Sequence, residues 1–363
     1  MRTTHVWCSG NLYRLRVGAG ALKLVGDEMR GLGFAGRVVV VSDSNVAPLY
    51  LEELLSSLRE VGLEPHQLVI EAGEEQKSLA SAGRMYDTLN EFGAERGTPV
   101  VALGGGVVGD LGGFVAATYF RGVPLVHVPT TLLAQVDSSI GGKVAVNHGR
   151  LKNNVGAFHQ PMAILSDTSV LRTLPEREFR NGLAEVVKSA VIRDMEFFAF
   201  LEENVSRIMS REDDVMEDVV ASTARIKAAV VQEDERDGGL RNILNFGHTV
   251  GHGFESASDF GVSHGESVAI GMLAACNIAC EMEICKRETL ERVEWLLSRI
   301  GLPLSVPSTI DVEAVLDAMK RDKKISKGKL RFILPLHIGD VTIRNDVPDE
   351  LVTKAVRGCY ANA

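Results

Sequence analysis

The chain has 363 residues, more than one typical domain of roughly 100–200, so two domains are expected. Apolar residues make up 45% and charged residues 24%, a balance that excludes a mostly disordered chain. Thirty-nine Lys+Arg against 48 Asp+Glu leave a net charge of −9, which disfavours nucleic acid and anionic membranes as partners but allows a local basic pocket for a small anion.

The N-terminal stretch Met1 to Gly20 is mixed polar and lacks the apolar run of an export signal. The first ~170 residues then alternate short apolar strands with helical segments. Strands are expected at Arg37 to Val41, Gln67 to Ile70, Pro99 to Leu103, Pro124 to Val128 and Ala163 to Leu165. Helices are expected at Leu51 to Gly62 and Leu79 to Gly93, each stopped by a glycine. Such alternation predicts an α/β domain with a parallel sheet, whose ligands sit at the carboxyl ends of the strands. From about Arg172 the strand signal fades. Helices are expected at Phe179 to Asn204, Asp213 to Gln232, His248 to Ser258, His264 to Cys285, Glu288 to Ile300 and Asp311 to Lys320, with a lone strand at Leu330 to Leu334. The reading is therefore an α/β N-terminal domain, 1–172, and a mainly α-helical C-terminal domain, 173–363, with the active site in the interdomain cleft. The most apolar stretch of the second half, Val268 to Cys280, is broken by Gly271 and Asn277 and falls short of the ~20 residues that span a bilayer. The five cysteines contain no CxxC pair, and Cys276, Cys280 and Cys285 read as small apolar filler suited to a reducing cytoplasm.

Val100 to Leu103 runs into Gly104-Gly105-Gly106-Val107-Val108-Gly109-Asp110, a G-x-G-x-x-G turn after a strand and before a helix. Glycines there let the backbone approach a pyrophosphate, whose charge a helix N-terminus favours. The acid that usually follows ~20 residues later is missing, and Asp43 upstream is the acid that ends a strand. A dinucleotide would therefore put its adenosine side on Asp43 and Asn45 and its pyrophosphate on Gly105 to Val107.

Three histidines fall close together in Asn245-Phe246-Gly247-His248-Thr249-Val250-Gly251-His252 and Ser263-His264-Gly265-Glu266. His248 and His252 are one helical turn apart and face the same way. Two or three imidazoles with one carboxylate match a catalytic zinc site that keeps a position open. Glu185, one turn before Lys188 in apolar text, is the candidate carboxylate; helix-capping histidines are the plainer alternative. Basic residues also recur in apolar or glycine-rich text at Arg121, Lys143, Lys152, Lys188, Lys227, Arg241, Lys323 and Lys324. Together they could surround a phosphate and a carboxylate.

These residues, with Val128-Pro129-Thr130-Thr131, Val136-Asp137-Ser138-Ser139, Gln160-Pro161 and Asp322-Lys323-Lys324, resemble the 3-dehydroquinate synthase family, in order and over nearly the whole chain. The resemblance implies a Rossmann-like first domain, bound NAD, one Zn2+ that Co2+ can replace, and a homodimer. It also implies a carbon–oxygen lyase acting on a phosphorylated sugar acid, which turns 3-deoxy-D-arabino-heptulosonate 7-phosphate into 3-dehydroquinate and phosphate in the shikimate pathway. Carried over by motif, the metal ligands are Glu185, His248 and His264, and His252 becomes a substrate-side residue. Arg121, Lys143 and Asn153 hold the phosphate, assisted by Lys323 or Lys324, and Lys227 with Arg241 holds the carboxylate. Asp137, Lys188, Asn245 and His252 order hydroxyls and water. NAD contacts are Asp43, Asn45, Glu74, Lys77, Gly105, Gly106, Val107, Asp110, Thr130, Thr131, Lys152, Thr173 and Glu178. Asp237 stands where the family commonly has Glu, one methylene shorter, and Leu151 and Asn154-Val155 are unusual. The rivals are other sugar-phosphate cyclases, whose substrates lack the carboxylate, and a metal-dependent polyol dehydrogenase, which needs no phosphate clamp.

Overall fold

The computed structural model describes residues 1–8, 10–149, 151–259, 261–321 and 330–360. The chain divides into two compact units, Met1–Pro175 with Met216–Arg236, and Glu176–Val215 with Asp237–Ala363. The first break lies close to the expected 172. The return of Met216–Arg236 to the first unit differs from the expectation that everything after 173 forms one domain, because a helix pattern in sequence does not say against which core it packs.

The first unit opens with β1 (Arg2–Cys8), β2 (Asn11–Val17) and α1 (Val25–Gly31). It continues through β3 (Gly36–Asp43), α2 (Ala47–Glu60), β4 (Leu63–Ile70), α3 (Leu79–Glu91), β5 (Val100–Gly104), α4 (Gly106–Thr118) and β6 (Leu125–Pro129). The β7 (Lys143–His148) and β8 (Leu151–Phe158) hairpin and β9 (Ala163–Ser166) follow. Seven strands form one sheet in the order β1-β2-β9-β6-β5-β3-β4, parallel except for the antiparallel β1–β2 pair. All five expected strands are in it. The β1–β2 and β7–β8 hairpins and α1 were not anticipated; β8 exposes most of its residues, so it carries little of the hydrophobic signal that marks a strand. Runs of valine in β3 and β5 are buried, as strands covered on both faces require. β3 lies between β4 and β5, so the chain runs outward from β3 to β4 and then crosses back past β3 to β5, the reversal of strand order that opens a switch-point crevice at the ends of β3 and β5.

The second unit is built from α5 (Glu176–Arg193), α6 (Met195–Met209), the first residues of α7 (Asp213–Glu233), α8 (His248–Ala257), α9 (His264–Glu281), α10 (Arg287–Ile300) and α11 (Val312–Arg321). It ends with β10 (Phe332–His337), β11 (Asp340–Arg344) and α12 (Asp349–Gly358), the last not foreseen. The helix expected over Phe179 to Asn204 is two helices. Asp194 takes an extended conformation and its carboxylate accepts from the Phe197 amide at 2.9 Å, starting α6 afresh. The lone strand expected near Leu334 is instead one arm of the antiparallel β10–β11 hairpin. No described helix is long and apolar enough to cross a membrane.

Candidate metal centre and cofactor crevice

Two close backbone contacts assemble the histidines and the glutamate in the second unit. A side chain at Gly265 would lie 2.5 Å from the Asn181 backbone, so only glycine lets the first turn of α9 press against α5. A side chain at Gly271 would lie 1.9 Å from the Gly247 carbonyl oxygen, so the middle of α9 lies against the start of α8. His264 on α9, His248 on α8 and Glu185 on α5 are thereby brought together.

Each of these three residues offers one donor atom, and the donors lie within 4.8 Å of one another. Glu185 Oε1 is 3.3 Å from His264 Nε2 and 3.5 Å from His248 Nε2. The edge of a tetrahedron with zinc–ligand bonds of ~2.0–2.1 Å is about 3.3–3.4 Å, so the spacing and the donor chemistry suit a divalent ion. The outer contacts suit it too. His248 Nδ1 sits 3.0 Å from the Phe246 carbonyl oxygen, which fixes the ring so that Nε2 points at Glu185. His264 Nδ1 lies 3.5 Å from the Glu255 carboxylate. His252 comes near through Glu255 and His264, which form a second convergent group with it, and its ring centroid is 5.2 Å from that of His248. Asn245 is half-buried just before α8.

The electrostatics point the same way. Burial alone would push the Glu185 carboxyl up, but the buried Lys188 ammonium paired with it, helped by His264, holds it down at about 2. Burial would also strip the proton from His264; the Glu185 and Glu255 carboxylates outweigh it and raise the imidazole to about 9. A site that holds a proton this firmly is one whose field favours a cation.

In the first unit Asp43 ends β3, and its Oδ1 accepts from the Asn45 and Val46 amides at 2.9 and 3.0 Å. Gly105 is the N-cap of α4, with Gly106 and Val107 in its first turn, so the glycine turn opens a helix as expected. A side chain at Gly105 would come within 3.0 Å of Thr131. The buried Thr130 Oγ1 has no hydrogen-bond partner among the described residues. A backbone cradle beside an unmatched buried hydroxyl fits a pyrophosphate-bearing cofactor. Lys77, buried, pairs with Asp110. Thr173 Oγ1 bonds the Tyr50 hydroxyl. Lys152 is exposed on β8. Of the expected NAD contacts only Glu178 belongs to the second unit, where it accepts a 3.4 Å bond from Asn181.

Of the expected phosphate residues, Lys143 opens β7, Asn153 lies on β8 with φ 54°, and Arg121 follows α4 with φ 69°. Asn147, which sequence reasoning passed over, joins two of the predicted groups. Its Nδ2 donates to Glu74 at 2.8 Å and its Oδ1 accepts from the Asn153 amide at 2.9 Å. Lys227, placed in the first unit by the return of α7, donates to the Asp137 backbone oxygen at 2.5 Å and to Oδ1 at 2.6 Å. Asp137 lies in a π-helical turn, Ala134–Ser138, a backbone form that gathers at functional sites. Arg241 is buried in the second unit. Lys323 and Lys324 lie outside the described residues. Glu255 was also missed in the sequence; its signal was its position one turn after His252 on the same helix.

The α/β and helical architecture is that of the sugar-phosphate cyclases. A 2-deoxy-scyllo-inosose synthase, solved with carbaglucose-6-phosphate, NAD+ and Co2+, superposes with a TM-score of 0.91 at 28% identity, covering 99% of this chain and 100% of that one. The 2-epi-5-epi-valiolone synthase of Streptomyces hygroscopicus, solved with NAD+ and Zn2+, gives 0.87 at 29%, covering 96% of each. Sequence divides the class more finely. The family models for the N-terminal and C-terminal parts of 3-dehydroquinate synthase match residues 67–181 and 182–325. The 3-dehydroquinate synthase of Dehalococcoides mccartyi is 48% identical over 347 residues, 96% of this chain and 96% of that protein. The chain belongs to the 3-dehydroquinate synthase family.

Proposed function

We propose that the chain converts 3-deoxy-D-arabino-heptulosonate 7-phosphate to 3-dehydroquinate and phosphate, and that it works as a homodimer in the cytoplasm. The observation that carries the reading is the 48% identity to a 3-dehydroquinate synthase across 96% of both chains, against 28–29% for cyclases of other specificity. The convergence of Glu185, His248 and His264, whose donor atoms lie within 4.8 Å of one another, supports the metal-dependent part of the reading independently.

When bound, Zn2+ or Co2+ would supply a Lewis acid for the substrate hydroxyls and NAD would supply a hydride acceptor. Glu185, His248 and His264 hold the metal. Lys188 keeps Glu185 ionised and offers its ammonium to a hydroxyl oxygen, easing loss of that proton. Asp137, Asn245 and His252 order the remaining hydroxyls and the water through which protons move. Arg121, Lys143 and Asn153, with Lys323 or Lys324, grip the phosphate, and their charge stabilises it as the carbon–oxygen bond breaks. The departing phosphate, held there, takes the proton acidified by the neighbouring ketone. Lys227 and Arg241 hold the carboxylate through ring opening and the intramolecular aldol closure.

Asp43 and Asn45 take the adenosine ribose, and Gly105, Gly106 and Val107 the pyrophosphate. Thr130, Thr131, Glu74, Lys77, Asp110, Lys152, Thr173 and Glu178 complete the cofactor site.

The carboxylate separates this activity from the other cyclases. Turnover of the heptulosonate phosphate, with none on glucose 6-phosphate or sedoheptulose 7-phosphate, is expected from a purified sample carrying metal and NAD. Faster turnover of either carboxylate-free sugar would reject the assignment.

A further inference from the structure

Outside the candidate site, the molecule holds a pair of cysteines in contact. Cys280 ends the last full turn of α9 and Cys285 lies just before the N-cap of α10, and their sulfurs are 3.5 Å apart. Both side chains are half-buried, so a small reagent can reach them. Both thiols also point at one acceptor, the Lys286 carbonyl oxygen, at 3.7 and 3.5 Å.

The backbone between them is held. The Met282 amide bonds the Ile278 carbonyl, the Glu283 amide bonds Cys280 at 3.0 Å, and the Ile284 and Cys285 amides bond Ala279 at 2.9 and 3.3 Å. Glu283 takes φ 56°, the left-handed conformation that turns the chain back on the helix. The two sulfurs are therefore neighbours because the turn is folded. A shift of about 1.5 Å, within reach of side-chain rotation, would bring them to the ~2.05 Å of a disulfide.

Cys276, one turn earlier on α9, is fully buried, and burial pushes its thiol well above the usual range. It forms no convergent metal-binding group with the other two among the described residues, which favours oxidation chemistry over a soft-metal site.

We propose that Cys280 and Cys285 are a reversible oxidation site, which closes a disulfide by exchange with a small-molecule disulfide such as oxidised glutathione. The Cys280 thiol loses its proton to water and its sulfur attacks one sulfur of the reagent, whose other half leaves as thiolate. Burial and then the neighbouring Cys280 push the Cys285 thiol up to about 12, so its loss of a proton to water is the slow step; its sulfur then attacks Cys280, and the second glutathione thiolate departs. Two S–H groups become one S–S bond, and the reagent takes up the two electrons and both protons as two thiols. The new bond joins the end of α9 to the start of α10, about 24 Å along α9 from His264 by its rise per residue, and it touches no residue assigned to catalysis.

The test treats the full chain, loaded with metal and NAD, with oxidised glutathione, and counts thiols after denaturation. The expected count falls from five to three, 5 − 2, and returns to five with a dithiol reductant. Glutamyl endopeptidase cuts after Glu281 and Glu283 and so separates the two cysteines. A peptide bridge that survives Cys276→Ala and is two hydrogens lighter than the reduced pair is expected. Cys285→Ser should instead trap one glutathione on Cys280, with turnover within twofold of the parent. Five free thiols after prolonged exposure, separate glutathione adducts on both cysteines without ring closure, or a bridge to Cys276 would each overturn the proposal.

Discussion

At the scale of single residues the decisive pair is Glu185 and Lys188. Both side chains are almost wholly buried, and a charge in that setting is tolerated only when it is answered. Lys188 answers Glu185 now; a divalent ion in the Glu185–His248–His264 set answers it more strongly. The two neighbours of Glu185 should therefore fail in different ways. Lys188→Ala is expected to keep a full metal complement and bound NAD while turnover falls by at least ~100-fold, because substrate hydroxyls lose an organising charge. His264→Ala is expected to lose metal and turnover together. Elemental analysis beside a steady-state assay checks both, and the account fails if the two variants lose metal to the same degree.

Among the elements, α9 does the assembling, and two of its glycines carry the load. Gly265→Ala would drive a methyl group into the Asn181 backbone and displace His264 from Glu185. A destabilisation of about 1–3 kcal/mol, with metal affinity weakened at least tenfold, is expected from denaturant unfolding and chelator competition. Unchanged affinity would show that α9 has slack here.

The central strand β6 makes a separate prediction. His127 is buried on it, and burial, then the charge of His159, push its imidazole down to about 4. The unfolded chain therefore binds a proton, near its usual 6.5, that the folded chain refuses. The stabilising effect is complete above pH 6.5 and is lost as pH falls toward 4, by on the order of 3 kcal/mol. Urea unfolding of His127→Leu should be flatter than the parent across that window; parallel pH profiles would contradict it.

How far the elements were legible in sequence follows from how loud each signal is. The buried valine runs of β3 and β5 and the glycine turn into α4 announce themselves, and so do the amphipathic helices α2, α3, α10 and α11, whereas α12 did not. In the β7–β8 hairpin, which carries Lys143, Lys152 and Asn153, only Val144 and Val146 of β7 reach the core, and the mostly exposed β8 gives no apolar alternation to read. Asn147 acts partly through Glu74, 73 residues away, which one-dimensional spacing does not report, whereas Glu255 could have been found one turn after His252. His248 and His264 could be picked out by spacing, but spacing alone kept His252 level with them. The Phe246 carbonyl and the buried Glu185 carboxylate are what set His248 and His264 apart.

For the molecule as a whole, two compact units divide the expected roles, with α7 starting in one and returning to the other. That return puts Lys227 in the unit with Asp137 and Arg241 in the other unit. In this acidic chain of net charge −9, Lys77, Lys188, Lys227 and Arg241 are buried, the three lysines paired with Asp110, Glu185 and Asp137. The reaction assigned to this arrangement oxidises and then re-reduces the same carbon, a signature no simple dehydrogenase shares. The most direct measurement follows phosphate and reduced nicotinamide together, with the heptulosonate phosphate, NAD and added Zn2+ or Co2+. The account predicts catalytic phosphate release that vanishes on chelation and returns with metal, with no net reduced cofactor at any time. Reduced nicotinamide accumulating in step with turnover, or phosphate release indifferent to the metal, would contradict it.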